Sequence, residues 1–139
     1  MSGQQTVHAS TVAIAGRAVL LIGPSGAGKS DLALRLIDRG AILVSDDYTD
    51  LVATPDELIA SPPATIAGRI EVRGLGIVDL PHLPAAPVAL AVLLDAPVER
   101  MPEPRTHLLA GRPIPAIALD PFELSAAIKV ELAIRRIES

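Results

Sequence analysis

The sequence predicts an α/β fold built on a mixed β-sheet, and three features of the chain indicate this class. An unbroken apolar run at residues 18–22 is typical of a buried strand, and a glycine-rich loop and a helical pattern follow it directly. A second apolar run, 88–94, has the length and composition of a central strand. From residue 120 onward, apolar side chains recur at helical spacing. Few helices are expected in all.

The glycine-rich loop carries the clearest chemical signal in the chain. Its residues are Gly23, Pro24, Ser25, Gly26, Ala27, Gly28, Lys29 and Ser30, which match the phosphate-binding pattern G-x-x-x-x-G-K-[ST]. Glycine lets the backbone curl around an anion, and the following helix directs its positive dipole end at that anion. Lys29 supplies a cation for the β- and γ-phosphates, and Ser30 supplies a hydroxyl for Mg²⁺. A glycine-rich turn that binds nothing would not need the strand, the helix and the Lys-Ser pair together.

Composition limits the class of protein. The 139 residues suffice for one domain, expected over 1–139 with a flexible start at 1–5. One tyrosine, one phenylalanine and no tryptophan predict an aliphatic core and argue against stacking platforms for single-stranded nucleic acid. The net charge of −4, without a basic block, argues against nucleic acid in general. The absence of cysteine excludes disulfides and thiolate metal sites.

Neither a targeting signal nor a membrane segment is visible. The first residues are polar and lack a charged-then-apolar signal pattern. The longest apolar stretches fall far short of the roughly 20 residues that span a bilayer. We therefore expect a cytoplasmic protein with no membrane association. Thirteen prolines favour short strands and turns over long helices.

The elements around the loop follow from local patterns. Strands at 6–14 and 17–22 are expected to form a hairpin that leads into the loop. A helix is expected at 29–38, ending at Arg39-Gly40, and a short apolar strand at 41–44. His8 falls in the first of these strands. A lone histidine in a strand is usually a surface or core residue, and its spacing alone assigns it no chemistry.

Two acidic residues, Asp46 and Asp47, follow the strand at 41–44. Near a phosphate loop, one carboxylate could hold a metal ion through water and the other could accept a proton from an attacking hydroxyl. Adjacent side chains in an extended segment point opposite ways, so the two need not share a role. The alternative is a pair of solvated turn residues.

The stretch 70–79 is strand-like but contains Gly74 and Gly76, which predicts a bulge or a close backbone approach. Glu71 and Arg73 would lie on one face by the period of two. They could serve a metal ion and a phosphate group, or they could form a cross-strand ion pair. The residues alone leave both possibilities open.

The second half of the chain is less informative. A small hairpin is expected at 50–60. A further strand is expected at 107–119, interrupted by two prolines, after a proline-rich loop. Asp120 is expected to be the N-cap of a final helix, with Glu123 three residues on as its capping-box partner.

Four pieces of the sequence together resemble the catalytic domain of the bacterial HPr kinase/phosphorylase family. They are His8 before the hairpin and the phosphate loop, residues 39–47, the stretch Glu71-Val-Arg-Gly-Leu-Gly-Ile77, and the pair Glu99-Arg100. The third matches the family signature, which is far more specific than a phosphate loop. The likeness covers about residues 7–120 and lacks the usual N-terminal domain, so a short form is expected.

The resemblance implies a fold similar to the nucleotide-binding core of phosphoenolpyruvate carboxykinase. It also implies transfer of a phosphoryl group from ATP, or from pyrophosphate, to a serine of the phosphocarrier protein HPr. The implied catalytic residues are His8, Lys29, Asp46, Asp47 and Arg100, with Asp47 as the general base. The resemblance further implies that the phosphate loop binds the nucleotide and that Ser30 and Glu71 hold Mg²⁺.

Two departures from the family pattern shape these expectations. The family has an Arg-Pro-Gly-Arg-Asn segment tied to the reverse phosphorolysis, whereas residues 118–123 here lack both arginines, so kinase activity is expected without phosphorolysis. The C-terminal part is shortened, so a homo-oligomer like the family's hexamer is left open. The alternatives are a small-molecule kinase with the same loop and a nucleotide-binding sensor without catalysis.

Overall fold

The computed structural model describes residues 3–138 of the chain. Within them, two α-helices lie among eleven strands. The strands are β1 (Gln4–Val7), β2 (Ala9–Ile14), β3 (Arg17–Ile22), β4 (Ile42–Ser45), β5 (Thr49–Ala53), β6 (Leu58–Ser61), β7 (Arg69–Val72), β8 (Gly76–Asp79), β9 (Ala86–Leu93), β10 (Arg105–Leu109) and β11 (Arg112–Ala118). The helices are α1 (Lys29–Asp38) and α2 (Ala126–Glu138), and a short 3-10 helix spans Ala64–Ile66.

A nine-stranded sheet forms the body of the fold. Seven strands follow the order β1-β5-β6-β9-β3-β2-β4, and the β10–β11 hairpin joins the sheet through β9. The central strand β9 pairs in parallel with β3 and β11 and antiparallel with β6. The sheet therefore mixes both kinds of pairing, which confirms the α/β class with a mixed sheet.

The direction of the strands determines where a ligand can meet the sheet. β3, β9 and β11 run parallel, and β4 runs the same way because it pairs antiparallel with β2, which pairs antiparallel with β3. The carboxyl ends of these four strands consequently lie at one end of the sheet, which we call its loop edge, together with the amino end of β2. The segments that leave this edge are 23–28, 46–48, 94–104 and 119–125. In open α/β sheets, ligands bind beyond the carboxyl ends of the strands.

The core lies on both faces of this sheet. Along β3, Val19 and Leu21 pack into the cluster beneath the helices, whereas Leu20 packs into the cluster on the opposite face. β3 is thus buried on both sides, as its unbroken apolar run predicts. The predicted aliphatic core is observed, because Tyr48 and Phe122, the chain's tyrosine and phenylalanine, are both exposed. No helix within residues 3–138 is long and apolar enough to cross a membrane.

The start of the chain differs in detail from the expectation. The strand expected at 6–14 divides at His8, because β1 pairs with β5 while β2 pairs with β3 and β4. Gln4 and Gln5, which fall within the expected flexible start, are paired with β5, and Met1 and Ser2 lie outside the described residues. The β2–β3 hairpin, α1 and the β5–β6 hairpin form as expected.

The glycines at 74 and 76 mark a turn, so the bulge, one of the two possibilities predicted for the stretch 70–79, was wrong. β7 and β8 form a separate antiparallel pair, and both glycines adopt positive φ at its tip, 92° and 96°. Glycine accepts this left-handed backbone at little cost. Arg73 belongs to the turn and not to the strand that carries Glu71.

The expectation of a single strand over 107–119 was also wrong. Ala110 and Gly111, with φ of 49° and 81°, form a two-residue turn between β10 and β11. Two successive positive φ values are typical of the type I′ hairpin turn. The prolines of β11 are tolerated because β9 pairs with this strand only from Ala116 onward, so Pro113 and Pro115 have one open side.

The final helix begins five residues later than predicted, at residue 126 instead of 121. The Asp120 carboxylate accepts a hydrogen bond from the Phe122 N–H, 2.9 Å away, which closes a turn two residues long instead of capping a helix. Residues 121–125 continue as turns, and α2 starts at Ala126. The predicted N-cap at Asp120 was therefore wrong.

Candidate active site

The phosphate loop connects β3 to α1 in the geometry that anion binding requires. Gly26 and Gly28 have φ of 84° and 90°, and Gly28 is the N-cap of α1 without any side-chain cap. The first N–H groups of the helix consequently remain available to a ligand. A Cβ on Gly23 would lie 2.9 Å from the Ala27 Cβ, so only glycine fits the start of this loop.

Lys29 is held inside the loop that it serves. The side chain is 4% exposed, and Nζ donates to the Pro24 carbonyl at 3.0 Å. Nζ also lies 3.5 Å from the Asp47 Oδ1 and 3.4 Å from the His8 Nε2. A buried ammonium needs such partners because burial disfavours its charge. The contact with Asp47 brings the cation of the loop together with the carboxylate after β4.

Asp46 is a buried carboxylate with both oxygens in use. Its Oδ1 accepts from the hydroxyls of Ser30, at 2.6 Å, and Ser10, at 2.8 Å. Its Oδ2 accepts from the Glu71 N–H at 3.0 Å. Pairing of a phosphate-loop serine with an aspartate from a different strand is the arrangement that holds Mg²⁺ in phosphate-loop enzymes.

Asp47 has a different environment and a strained backbone. Its φ is 68°, and the Tyr48 N–H donates to the Asp46 carbonyl at 2.8 Å across it, which closes a three-residue turn. Its Oδ1 lies 2.7 Å from the His8 Nε2, and the side chain is 47% exposed. Positive φ in a non-glycine residue costs free energy and often marks a functional position. The strain directs the Asp47 carboxylate toward Lys29 and His8, away from the bonds that hold Asp46.

His8 stands at the break between β1 and β2, where the chain crosses the edge of the sheet. Its ring stacks on Tyr48, with centroids 4.8 Å apart and the two planes 8° from parallel. The side chain is 32% exposed. The stack and the contact with Asp47 together fix the orientation of the imidazole. The structure thus brings His8, Lys29 and Asp47 into mutual contact.

The tip of the β7–β8 hairpin forms the opposite wall of the site. A cavity of about 650 Å³ lies between it and the phosphate loop. Its lining residues are Ser25, Gly26, Gly28, Lys29, Ser30, Asp31, Leu34, Asp46, Asp47, Glu71, Val72, Arg73 and Phe122. Glu71 and Arg73 both line it, whereas the cross-strand ion pair of this hairpin is Arg69 with Asp79, at 3.6 Å.

The side chains on this cavity fit a magnesium ion. The Ser30 hydroxyl and the carboxylates of Asp46 and Glu71 are the hard oxygen donors that Mg²⁺ prefers. Within residues 3–138, no group of three acidic or histidine side chains is placed to hold a metal ion alone. This agrees with the usual binding of Mg²⁺ through one or two carboxylates completed by substrate phosphates and water.

Arg100 is the one predicted site residue that the structure leaves apart. It is exposed in the loop of residues 94–104, which leaves the same edge of the sheet as the phosphate loop, and it does not line the cavity. Its catalytic role stays a prediction.

Three residues of the site gave no signal in the sequence. Ser10 donates to Asp46 and accepts from the Asp47 N–H at 3.0 Å, so it joins the two aspartates. Tyr48 stacks on His8, and Phe122 lies over the phosphate loop. The one available clue was composition: a chain whose core is aliphatic has little structural need for its tyrosine and phenylalanine, so these two residues are candidates for the site.

Comparison with known proteins places the chain in a family. A family model described as the HPr Serine kinase C-terminal domain matches residues 1–85, which is more than half of the chain. The chain belongs to the HPr kinase family. The matched residues include the phosphate loop, both aspartates and the β7–β8 hairpin, so the family assignment covers most of the site described above.

Relatives named HPr kinase/phosphorylase match the same part of the chain. The protein from Clostridium tetani is 43% identical over 83 residues, covering 60% of this chain and 27% of its own length. That from Thermoanaerobacter pseudethanolicus is 44% identical over 84 residues, covering 60% and 28%. The chain therefore spans about a quarter of the length of the curated HPr kinase relatives that it matches.

A solved structure extends the match to almost the whole chain. The structure of the Hpr(Ser) kinase/phosphatase from Coxiella burnetii superposes with a TM-score of 0.82 at 31% identity. The superposition covers 96% of this chain and 90% of the Coxiella chain. The HPr kinase fold therefore continues beyond residue 85, through the strands and the helix that follow the β7–β8 hairpin.

Proposed function

We propose that this chain is an ATP-dependent protein-serine kinase whose acceptor is a serine of the phosphocarrier protein HPr. The observation that supports the proposal most strongly is the placement of Asp47. A strained turn holds this carboxylate at the mouth of a phosphate loop, in contact with the loop lysine and with His8. The names of the relatives supply HPr as the acceptor and the kinase reaction.

In the proposed reaction, the phosphate loop holds the donor. The backbone N–H groups of the loop bind the phosphates, and Lys29 turns from the Pro24 carbonyl to the β- and γ-phosphates. Ser30, Asp46 and Glu71 would hold Mg²⁺, which when bound neutralises charge on the β- and γ-phosphate oxygens.

Asp47 acts on the acceptor. The serine hydroxyl gives its proton to the Asp47 carboxylate as its oxygen bonds to the γ-phosphorus. The bond from that phosphorus to the β–γ bridging oxygen breaks, and ADP leaves with the bonding electrons. His8 and Lys29 contact the Asp47 carboxylate and hold it in place before the proton moves. Positioning and charge neutralisation together account for the catalysis, as in phosphoryl transfer generally.

The proposal concerns the forward direction. Residues 118–123 contain no arginine that could stabilise an incoming inorganic phosphate, so we expect little phosphorolysis of phosphoserine-HPr. We also propose that the protein acts in the cytoplasm, where ATP is abundant, and that it acts without nucleic acid or a membrane. A homo-oligomer is compatible with this function and is not required by the site itself.

A transfer assay tests the proposal. The full chain is incubated with HPr and MgATP, and phosphoserine on HPr is measured. We expect transfer with the natural protein and a loss of about a hundredfold or more in Asp47→Asn, since general-base catalysis contributes about 10²–10⁴-fold. MgADP affinity, measured by calorimetry, should change little because Asp47 lies beyond the phosphates.

The matched control is Asp56→Asn, which alters an exposed carboxylate in the β5–β6 turn. It should behave like the natural protein. Nucleotide binding without any transfer would support a sensor, and transfer to a metabolite hydroxyl but not to HPr would support a small-molecule kinase. Loss of MgADP affinity together with activity in Asp47→Asn would place Asp47 in the phosphate site and contradict its role as base.

A further inference from the structure

Phe122 has an unusual position for the only phenylalanine of an aliphatic protein. The side chain is 71% exposed, although more than thirty buried aliphatic side chains build the core. A single exposed apolar residue is common on protein surfaces and needs no explanation by itself. The neighbours of this ring, rather than its exposure, carry the argument that follows.

The backbone around Phe122 is fixed to the phosphate loop and to α1. The Asp120 carboxylate accepts from the Phe122 N–H, and Arg35 of α1 donates to the carbonyls of Pro121 and Glu123 on either side of it. The ring atoms Cε1 and Cζ lie 3.3 Å from the position that a Cβ on Gly28 would take. The ring is thus held against the N-cap of α1, where the phosphate loop ends.

This position lies beside the path of a bound nucleotide. The loop amides bind the α- and β-phosphates, and Lys29 reaches the β- and γ-phosphates, so the nucleoside extends from the α-phosphate away from the lysine. On the side of Lys29, Asp47 and His8 meet the acceptor. Besides two glycines, the apolar lining of the same cavity consists of Leu34, Val72 and Phe122, and only Phe122 offers an aromatic face.

We propose that Phe122 is the platform on which the base of the nucleotide donor stacks. The inference rests on the proposed function to the extent that it takes the phosphate loop as the donor site. A flat aromatic ring binds any purine through its π-face, so the platform favours nucleotide donors over inorganic ones without reading the base edge. Phe122 is therefore a specificity residue for the donor, distinct from the loop and from Asp47, which serve every phosphate donor alike.

The experiment compares two ligands that differ by the nucleoside. MgADP and magnesium pyrophosphate are titrated calorimetrically into the full chain and into Phe122→Ala. Base–aromatic stacking predicts that Phe122→Ala weakens MgADP binding about five- to a hundredfold. Pyrophosphate has no base, so its affinity should change less than about twofold. The control Leu124→Ala, which removes a fully exposed side chain two residues away, should change neither ligand.

A second variant gives an optical readout. The chain contains no tryptophan, so Phe122→Trp introduces a single tryptophan, whose fluorescence can be excited apart from that of Tyr48. We expect Phe122→Trp to bind MgADP at least as tightly as the natural protein, with a fluorescence change that pyrophosphate does not produce. Thermal unfolding of each variant without ligand shows whether it is folded, which is expected because the position is exposed.

Each outcome decides the inference. Equal weakening of both ligands in Phe122→Ala would show that the ring only shapes the loop, and an unchanged MgADP affinity would show that it does not meet the base; either result overturns the proposal. A natural protein that binds pyrophosphate as tightly as MgADP overturns it too, while leaving the phosphate-loop function intact. A natural protein that binds neither ligand overturns the proposed function itself.

Discussion

Asp46 and Asp47 show how one step along the chain separates two kinds of chemistry. Asp46 is 6% exposed and accepts three hydrogen bonds, whereas the Asp47 side chain is 47% exposed and meets a lysine and a histidine. The divergence was expected from the alternation of an extended backbone, but the structure produces it through the turn at Asp47, whose φ is 68°. The sequence pattern does not tell which of the two aspartates is buried, because Ser10 and Ser30, which donate hydrogen bonds to Asp46, come from distant parts of the sequence.

His8 shows the same limit from the other side. Its spacing assigns it no function, and the family resemblance was the sole reason to include it among the site residues. The structure adds a contact that neither source contains, the stack on Tyr48. Tyr48 follows Asp47 directly, so the turn that strains the aspartate also places the ring that orients the histidine.

We predict that Tyr48 is a positioning residue that acts through His8. Tyr48→Ala should lower kcat for phosphoryl transfer about tenfold, because the imidazole loses one of its two supports, and it should leave the KM for ATP nearly unchanged. Tyr48→Phe keeps the ring and should restore kcat, which separates stacking from any role of the hydroxyl. The measurement is steady-state kinetics with HPr. A rise in the ATP KM matching the fall in kcat would show that Tyr48 serves nucleotide binding instead.

At the scale of elements, helices and strands whose ends depend on nearby residues are predicted more accurately than those whose ends depend on distant contacts. α1 occupies 29–38 as predicted, because its start and end are written locally in Gly28 and Gly40. α2 begins late for two reasons. The Asp120 carboxylate accepts a hydrogen bond within its own turn, and Arg35, from a distant part of the sequence, donates to the carbonyls of Pro121 and Glu123. The β10–β11 turn could have been predicted from Gly111, whereas the two prolines concealed it.

The packing of α1 on the sheet gives a stability prediction. Leu36, in the last turn of α1, is fully buried in the cluster beneath the helices. Leu36→Ala should lower the free energy of unfolding by about 2–5 kcal/mol, through lost burial and the cavity that remains. Urea denaturation measures the change. The control Leu132→Ala alters a half-exposed leucine on α2 and should cost clearly less. Equal losses would mean that Leu36 is not anchored in this core.

At the scale of the whole molecule, the site exists because four strands end at one edge of the sheet. The phosphate loop, the two aspartates and the segment with Phe122 follow β3, β4 and β11, and His8 precedes β2. The order of the strands in the sheet cannot be read from the sequence, since the residue pattern of a strand shows neither which strands pair with it nor whether they run parallel. The signature around Glu71 nevertheless led to the correct family and a mixed sheet. Arg100 shares the edge but lies outside the cavity.

A ligand that binds only the folded protein raises its free energy of unfolding, and a substitution of Lys29 tests whether MgADP does so through the phosphate loop. MgADP at a hundred times its Kd should stabilise the natural protein by about 2.7 kcal/mol. Lys29→Met keeps much of the buried volume and removes the charge that meets the phosphates, so the same MgADP concentration should add far less stability to it. Each variant is compared with its own ligand-free unfolding curve, which removes any effect of the substitution on the empty protein. The other lysine, Lys129, lies on the exposed face of α2 and is paired with Glu123, and Lys129→Met should retain the full increment. An undiminished increment in Lys29→Met would mean that the nucleotide stabilises the fold from a different site, and the phosphate loop would lose its assigned role.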